Sequence, residues 1–558
     1  MKKYKLSVII IGTLLLAACG QQSIAPKISE GEAALKELNP KNIWTHVKFL
    51  ADDAMEGRDT GSVGHKIAVN YVASQFAQMG LEPIGRKNYK HPVPFRGSQL
   101  REDGATASIK IGDKNIELKF LKDFLTLGSA LNENLVVSAP LIFVGRGITA
   151  PIFDYDDYEG IDATGKIVVY IDGAPDSFPS DHQAHFGSGN VAAQNAADHG
   201  AIGTISIQGT TNAARRPWKL MTRFATRKSL TWVGTDGNVG NGINGIDGSI
   251  LITNEIATKL FEASDQNFEE VYKASHDGNA SSFDLNATAT IGTKSKHTTL
   301  DSFNVISVLE GSDPALKDEY VIYTAHLDHI GMAHGGEGDL INNGAYDNAT
   351  GVGIMLETAR VMAMPQNRPK RSVIFAAVTA EEKGLLGSAY LAKHPPVSAK
   401  KIIANVNIDM PILSAPSKDV IAWGSEHSTL QGVVERAAIE MGLYLAPDPW
   451  PEQGIFTRSD QYAFVKEGIP AVMLAPGIVK GDGVPEDTVY LDKFLSSNYH
   501  KPSDDINQPF DLDAAARFSA VNYLIGVELA NSPEKPKWLK DNFFGDTFAK
   551  DHDSSISD

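Results

Sequence analysis

Short apolar runs separated by helical segments dominate the second half of this 558-residue chain. Each run has the length of a single strand, and the runs lie at 304–309, 320–324, 372–378 and 402–408. Helical segments at 351–364 and 384–394 lie between some of them. A continuously apolar strand leaves no polar side for solvent and is therefore buried on both faces. The pattern predicts an α/β fold with a mixed, mostly parallel sheet sandwiched by helices.

Acidic and histidine side chains follow these runs where the strands are predicted to end. The residues concerned are His326 and Asp328 after the second run, Glu381 and Glu382 after the third, and Asp409 after the fourth. Two further candidates, Asp347 and His500, lie in loops. Ligands of open α/β sheets gather outside the carboxyl ends of the strands. We therefore expect these side chains to meet at one edge of the sheet.

This set of residue types predicts a metal site. Carboxylates that converge without a nearby lysine or arginine repel one another strongly at low dielectric constant, and bound cations relieve that repulsion. Imidazole and carboxylate ligands suit zinc, and two-metal sites hold their ions about 3.5–4 Å apart. Two ions that share a bridging carboxylate need two histidines and three carboxylates. Of Glu381 and Glu382, one could bind a metal while the other takes a proton from water.

Five short segments, in this order along the chain, resemble the complete site of the M28 family of co-catalytic zinc peptidases: HLD at 326–328, DN at 347–348, EE at 381–382, NIDM at 407–410 and YH at 499–500. The resemblance implies a zinc-exopeptidase fold of the phosphorylase/hydrolase type. It also implies two Zn²⁺ ions, for which Co²⁺ or Mn²⁺ could substitute. The implied metal ligands are His326 and Asp409 on one zinc, Glu382 and His500 on the other, and Asp347 as the bridge.

The resemblance further assigns roles to residues around the metals. It implies that Glu381 is the general base and that Asp328 hydrogen-bonds His326 and so fixes the tautomer of that ring. It also implies a cis peptide bond between Asp347 and Asn348.

Four other residues near these motifs are interpreted with the same resemblance. Tyr499 matches a tyrosine that stabilises the tetrahedral intermediate, and Arg458 matches an arginine near the substrate. His329 and His334 match no ligand position. We expect both to be solvent-exposed loop residues.

A segment of different texture interrupts the predicted peptidase domain. Residues 131–295 alternate short strands with glycine and aspartate turns, which predicts an inserted β-rich module. The motifs FVGRGI at 143–148 and YDDY at 155–158 resemble a protease-associated (PA) domain. The peptidase domain is then predicted to comprise an N-terminal part, 39–130, and a catalytic part, 296–530, followed by a polar and loose C-terminal tail, 531–558.

A basic stretch lies within this predicted insert. Its members are Arg215, Arg216, Lys219, Arg223, Arg227 and Lys228. Two interpretations remain open, a solvated surface and a rim over an active-site cleft.

The N-terminus has the pattern of a lipoprotein signal peptide over 1–18. Three lysines precede the apolar run 6–16, and the sequence LAAC at 16–19 resembles the bacterial lipobox, which predicts lipidation of Cys19. Residues 19–38 are polar and predict a tether. Since Cys19 is the only cysteine, no disulfide is expected. Gly20 resembles an outer-membrane sorting signal, so we expect an exported, lipid-anchored protein that faces the periplasm or lies at the cell surface.

The predicted function is that of a dizinc aminopeptidase acting on peptides, with water as the nucleophile. Three alternatives stay open: a glutamate carboxypeptidase-like enzyme or dipeptidase, a single-zinc transferase resembling glutaminyl cyclases, and a non-catalytic peptidase-like receptor. The carboxypeptidase needs cationic groups for a substrate carboxylate, and no second arginine lies near Arg458 in sequence. The formal net charge of −17 argues against a nucleic-acid partner.

Overall fold

A computed structural model describes residue 33 and residues 36–549, except 241, 334 and 336. The predicted signal peptide, the lipidation site Cys19, most of the predicted tether and His334 lie outside the described residues. Within the described part of the chain, no helix is long and apolar enough to span a bilayer.

The strands follow the apolar runs closely. Their bounds are β1 (Glu82–Pro83), β2 (Lys90–Ile111), β3 (Lys114–Leu118), β4 (Phe124–Leu125), β5 (Asn134–Phe143), β6 (Thr149–Ala150), β7 (Tyr155–Asp156), β8 (Ile167–Ile171), β9 (Gly203–Ile207), β10 (Ser229–Trp232), β11 (Ser249–Ile252), β12 (Phe283–Leu309), β13 (Tyr320–His326), β14 (Ser372–Val378), β15 (Ile402–Ile408), β16 (Asp419–Trp423), β17 (Tyr444–Ala446) and β18 (Ala471–Pro476). All residues of β14 and β15 are buried, as their apolar sequences require.

Side-chain caps begin six of the described helices. Their bounds are α1 (Pro40–Leu50), α2 (Val63–Gln78), α3 (Ser180–Phe186), α4 (Gly189–Asp198), α5 (Thr210–Arg215), α6 (Trp218–Ala225), α7 (Asn254–Glu262), α8 (Phe268–His276), α9 (Thr350–Met362), α10 (Leu386–Lys393), α11 (Leu430–Glu440), α12 (Gln461–Val465), α13 (Leu491–Ser497), α14 (Leu512–Asn531) and α15 (Phe543–Phe548). The Ser62 hydroxyl caps α2 by accepting from the His65 N–H, and Gly80 ends it at φ +71°.

Sixteen of the described strands form a single sheet. The order along its main path is β17-β16-β18-β15-β13-β14-β12-β5-β8-β9-β11-β4. Strands β14, β13, β15 and β18 are parallel neighbours, and so are β5, β8, β9 and β11. Antiparallel β12 lies between these two parallel groups. The predicted fold class, a mixed and mostly parallel sheet with helices, is confirmed.

Two long strands connect the predicted insert to the rest of the sheet. Strand β2 has 22 residues and β12 has 27, and they pair with each other from Lys90 opposite Val305 to Ile111 opposite Ala287. The predicted boundary at 295/296 falls inside β12. One backbone ladder therefore extends from the insert to the catalytic part, with a single register shift between Thr293 and Ser295.

The C-terminal segment differs from the loose tail that its polar composition predicts. Trp538 is buried, and its indole N–H donates to the Gly468 carbonyl over 2.9 Å. Phe543 and Phe544, at the start of α15, are also buried. Three large aromatic side chains provide enough apolar area to hold residues 532–549 against the catalytic part.

Candidate metal centre

The predicted ligands meet at one edge of the sheet because three parallel strands end there. His326 is the last residue of β13 and pairs with Val378, the last residue of β14. Glu381 and Glu382 follow β14, and Asp409 follows β15 directly. The register of these strands thus brings four chemically active side chains to one place.

Asp347 lies at the centre of the site and presents one carboxylate oxygen to each of two groups. Its Oδ1 is 3.1 Å from His326 Nε2, which is also 3.0 Å from Asp409 Oδ1. Its Oδ2 is 3.3 Å from His500 Nε2, which lies 3.1 Å from Glu382 Oε2. The structure therefore brings the five predicted ligands together as two groups that share Asp347.

His329 lies inside the second group, contrary to the solvent-exposed position expected for it. Its side chain is fully buried, and Nδ1 is 2.8 Å from Glu382 Oε1 and 3.8 Å from Asp347 Oδ2. The chain direction explains the burial, because residue 329 pairs with Asp59 beside the end of β13. Sequence reasoning missed this residue, and its position one residue after the HLD motif was the available signal.

The ring of His326 is oriented by the backbone of Asp328 and not by its carboxylate. His326 Nδ1 donates to the Asp328 carbonyl over 3.0 Å. The Asp328 carboxylate instead accepts from the Glu381 N–H (3.1 Å) and the Thr60 hydroxyl (2.9 Å). Residue 328 thus contacts His326 through its backbone carbonyl, and its side chain holds the loop that carries Glu381.

The geometry fits cations between these side chains. Since His326 Nδ1 is committed as a donor, its Nε2 faces two carboxylates with either a second proton or a lone pair. Burial by itself lowers the pKa of His326, but Asp409, Glu381 and Asp347 raise that pKa well above its usual value. In the described structure the buried atoms Asp347 Oδ2, His329 Nε2 and His500 Nε2 have no hydrogen-bond partner. Positive charge is required here, and this nitrogen and oxygen donor set suits zinc.

Glu381 lies beside the first group in a buried, acidic environment. Burial raises the pKa of Glu381 well above its usual value. The charge of His326 lowers this pKa, whereas the carboxylates of Glu382, Asp409 and Asp460 raise it further. Asp460, which the sequence did not single out, is itself fully buried, and burial raises its pKa to about 7. Its neighbour Ser459 donates to Asp409 Oδ2 over 2.5 Å and fixes that carboxylate.

Several residues at the site have left-handed backbone conformations. Ala380, just before the glutamate pair, has φ +57°; Met410, just after Asp409, has φ +45°; and His500 itself has φ +56°. Non-glycine residues adopt such values at a cost of about 1–3 kcal/mol and do so mainly at functional sites. The peptide bond between Asp347 and Asn348 is cis, as the resemblance implies.

Two buried residues far away in sequence hold the loops that carry the ligands. The Arg58 guanidinium donates to the carbonyl of Leu327, which follows His326. It also donates to the carbonyls of Asn343 and Gly344, which lie just before Asp347. Asp504 accepts from the Tyr346 N–H over 2.9 Å and the Asp347 N–H over 3.1 Å. No local sequence pattern marks either residue, because both act through contacts across the fold.

Tyr499 and Arg458 lie at the exposed side of the centre. The Tyr499 ring stacks on His500 with centroids 3.8 Å apart. Burial raises the pKa of Tyr499 well above its usual value, Asp347 and Glu382 add to this, and Arg458 opposes it. The Arg458 side chain is exposed and donates to the Gln453 carbonyl at 3.4 Å.

In a third group of potential ligands, away from this centre, the histidine has a partner at both ring nitrogens. Asp181, Glu426 and His427 lie close together. His427 Nε2 is 2.9 Å from Asp181 Oδ2, and Nδ1 is 3.1 Å from the Asn542 side-chain amide. These bonds connect the insert, the catalytic part and the C-terminal segment.

Comparison with known proteins agrees with this site. The sequence model of peptidase family M28 matches residues 304–525. A probable zinc metalloprotease of Pyrenophora teres f. teres is 33% identical over 109 residues, which are 19% of this chain and 22% of that protein. A probable leucine aminopeptidase 2 of Aspergillus oryzae is 28% identical over 225 residues, 38% of this chain and 42% of that protein. The chain thus spans less than two thirds of the length of these relatives.

The solved aminopeptidase from Aneurinibacillus sp. strain AM-1 has the same fold over most of its length. The two structures superpose with a TM-score of 0.51 at 21% sequence identity. The aligned part comprises 90% of this chain and 97% of that aminopeptidase. All five residues of the two ligand groups lie within the matched range 304–525. The chain therefore carries a peptidase family M28 domain over residues 304–525.

Proposed function

We propose that this protein is an aminopeptidase that uses two zinc ions. The position of Asp347 carries the proposal, because its two oxygens face two separate groups of histidine and carboxylate ligands. His326 and Asp409 would hold one ion, Glu382 and His500 would hold the other, and Asp347 would contact both. Zinc, when bound, supplies a Lewis acid for the scissile carbonyl and lowers the pKa of water.

Glu381 would act as the general base. Its burial among other carboxylates raises its pKa, so its carboxylate is a stronger base than that of an exposed glutamate. It would take a proton from the attacking water and deliver it to the leaving amine. The hydrogen bond from the Glu381 N–H to Asp328 positions the base at the edge of the first group.

Tyr499 would donate a hydrogen bond to the oxygen on which negative charge develops. Its raised pKa keeps the phenol protonated at neutral pH, so the hydroxyl remains a donor. The stacking of its ring on His500 restricts where that hydroxyl can lie. The free α-amine of the substrate would contact the carboxylates of the site.

A carboxypeptidase is the second candidate, and a tertiary contact favours it. Arg215 of the insert donates to the Glu452 carbonyl in the loop before Arg458. Burial lowers the pKa of the Arg215 guanidinium, and the nearby Arg458 guanidinium lowers it further. The structure thus provides the second arginine that is missing near Arg458 in sequence, and such a pair could bind a substrate carboxylate.

One experiment separates the two candidates. The purified full-length protein, loaded with zinc, is incubated with peptides that have free or acetylated N-termini, and mass spectrometry identifies the products. Stepwise loss of N-terminal residues from free peptides alone is the expected result. Cleavage from the C-terminus, or cleavage that ignores acetylation, would establish the carboxypeptidase. Two bound zinc ions per chain are expected by elemental analysis; one ion would contradict the dizinc site.

We also propose export and lipid anchoring at Cys19, with residues 131–295 acting as a protease-associated (PA) domain. The LAAC sequence supports the anchor. Labelling with a radioactive fatty acid tests it: wild type should take up label and pellet with membranes, whereas Cys19→Ala should do neither.

A further inference from the structure

A large cavity extends from the candidate metal centre into the insert. Its volume is about 960 Å³, and Glu382, Tyr499 and His500 form one end of it. Most of the remaining lining comes from the insert, including Leu131, Leu220, Phe224 and Ile243, and Leu127 adds to it from the end of the N-terminal part. The cavity is therefore continuous with the site and has a mainly apolar far wall.

Some of these apolar side chains are unusually exposed. Leu127 is 52% exposed, Phe224 51% and Leu220 37%. Exposed apolar side chains that share a concave wall mark a binding site, because leaving them in water costs free energy. The wall is also anchored, since the Trp218 indole N–H at the start of α6 donates to the Leu121 carbonyl over 3.0 Å.

The basic stretch divides between this cavity and solvent. Arg215 and Arg216 line the cavity, whereas Lys219 and Arg223 on α6 are exposed and absent from its wall. Helix α6 thus turns Leu220 and Phe224 towards the cavity. Two members of the basic stretch therefore lie on the cavity wall, and two face solvent.

The size of the cavity exceeds what one terminal residue needs. Pockets for drug-sized ligands measure about 300–1,000 Å³, and this cavity lies near the upper limit. An exopeptidase places the terminal residue on one side of the cleaved bond and the rest of the peptide on the other.

We infer that the cavity binds the part of the substrate that follows the N-terminal residue, and that it selects extended peptides with apolar side chains there. This inference rests on the proposed aminopeptidase function. Two observations support it: Tyr499 and His500 of the candidate metal centre also line the cavity, and the insert contributes exposed apolar side chains to its wall. Leu220 and Phe224 then determine specificity.

The test compares three substrates with the same N-terminal leucine: leucine amide, a hexapeptide that continues with leucine and phenylalanine, and a hexapeptide that continues with serine and asparagine. For wild type, kcat/KM should be at least about tenfold higher for the apolar hexapeptide than for the polar one. In Phe224→Asp and Leu220→Asp, the ratio of kcat/KM for the apolar hexapeptide to that for leucine amide should fall about tenfold, mainly through KM. Val136→Asp, at a 75% exposed position of the insert outside the cavity wall, should leave the ratio unchanged.

Equal wild-type rates for the two hexapeptides, or an unchanged ratio in both cavity variants, would overturn the inference. Complete absence of cleavage would count against the proposed function instead. In that case, binding of the two hexapeptides, labelled at the C-terminus, is measured by fluorescence anisotropy. The inference is supported if the apolar peptide binds more tightly than the polar one and if Phe224→Asp weakens that binding about tenfold. Equal binding of both peptides refutes the inference.

Discussion

Removal of the His329 side chain should weaken one of the two predicted zinc sites and spare the other. His329 Nδ1 lies 2.8 Å from Glu382 Oε1, so its N–H fixes a carboxylate of the second group. Among the described residues, His329 forms ion-pair contacts with Glu382 and Asp347, whereas His326 and Asp409 of the first group obtain their orientation from Asp328 and Ser459. The change His329→Ala should therefore act on the second zinc.

The structure gives the expected magnitude. A hydrogen bond to a charged group contributes about 1.5–3 kcal/mol, and His329 is fully buried, so water cannot replace the lost donor well. That free energy corresponds to a roughly 10- to 150-fold loss of affinity. Loss of a residue that orients a metal ligand typically weakens metal binding about 10- to 100-fold. The two ranges agree, and we expect the second zinc to bind about 10- to 100-fold more weakly.

The assay is competition of the metal-free protein with a zinc chelator, which resolves the two binding steps without any catalytic readout. One step should weaken in His329→Ala and the other should stay within about twofold. His329→Asn is the matched variant, because its amide N–H can take the place of Nδ1 and should recover part of the affinity.

Three outcomes would refute this reasoning. Unchanged affinities would mean that Glu382 does not depend on His329, and equal weakening of both steps would mean a general loss of structure. A loss beyond about 1,000-fold exceeds the energy of one hydrogen bond and would show that His329 binds zinc directly.

Three other perturbations test separate parts of the structure. Glu381→Gln should lower kcat by about 10²- to 10⁴-fold with unchanged zinc content, because it removes the proton acceptor; the exposed Glu82→Gln is the control, and retained activity in Glu381→Gln would exclude the base. Burial lowers the pKa of His65 from 6.5 to about 3, so its contribution to stability is complete above pH 6.5 and is lost at about 1.4 kcal/mol per pH unit down to about pH 3. Urea unfolding of His65→Gln should show a smaller loss of stability across that window than wild type, and parallel pH curves would contradict the assignment. Trp538→Ala should destabilise the protein by about 3–5 kcal/mol in urea, since Trp538 is only 2% exposed; a change below about 1 kcal/mol would mean that the C-terminal segment is loose.

The strands and the positions of the candidate ligands were predictable because both depend on local sequence. A continuously apolar run such as 372–378 can only be a buried element, and the residues after it must emerge at the end of that strand. Because β13 and β14 are parallel neighbours, the residues that follow β14, Glu381 and Glu382, emerge at the same edge of the sheet as His326. Sequence by itself thus determined the fold class and the predicted ligands that meet at the edge of the sheet, but not the buried position of His329 among them.

Tertiary structure alone decided which atoms interact and what surrounds them. Hydrogen bonding depends on distance and direction, so only the folded chain shows that His326 bonds to the carbonyl of Asp328 and that His329 lies against Glu382. Arg58 and Arg215 reach the site across hundreds of residues in sequence, where no periodic pattern can indicate a contact. The cavity arises for the same reason, since its lining combines segments that are far apart in sequence and belong to the parts of the fold connected by the paired strands β2 and β12.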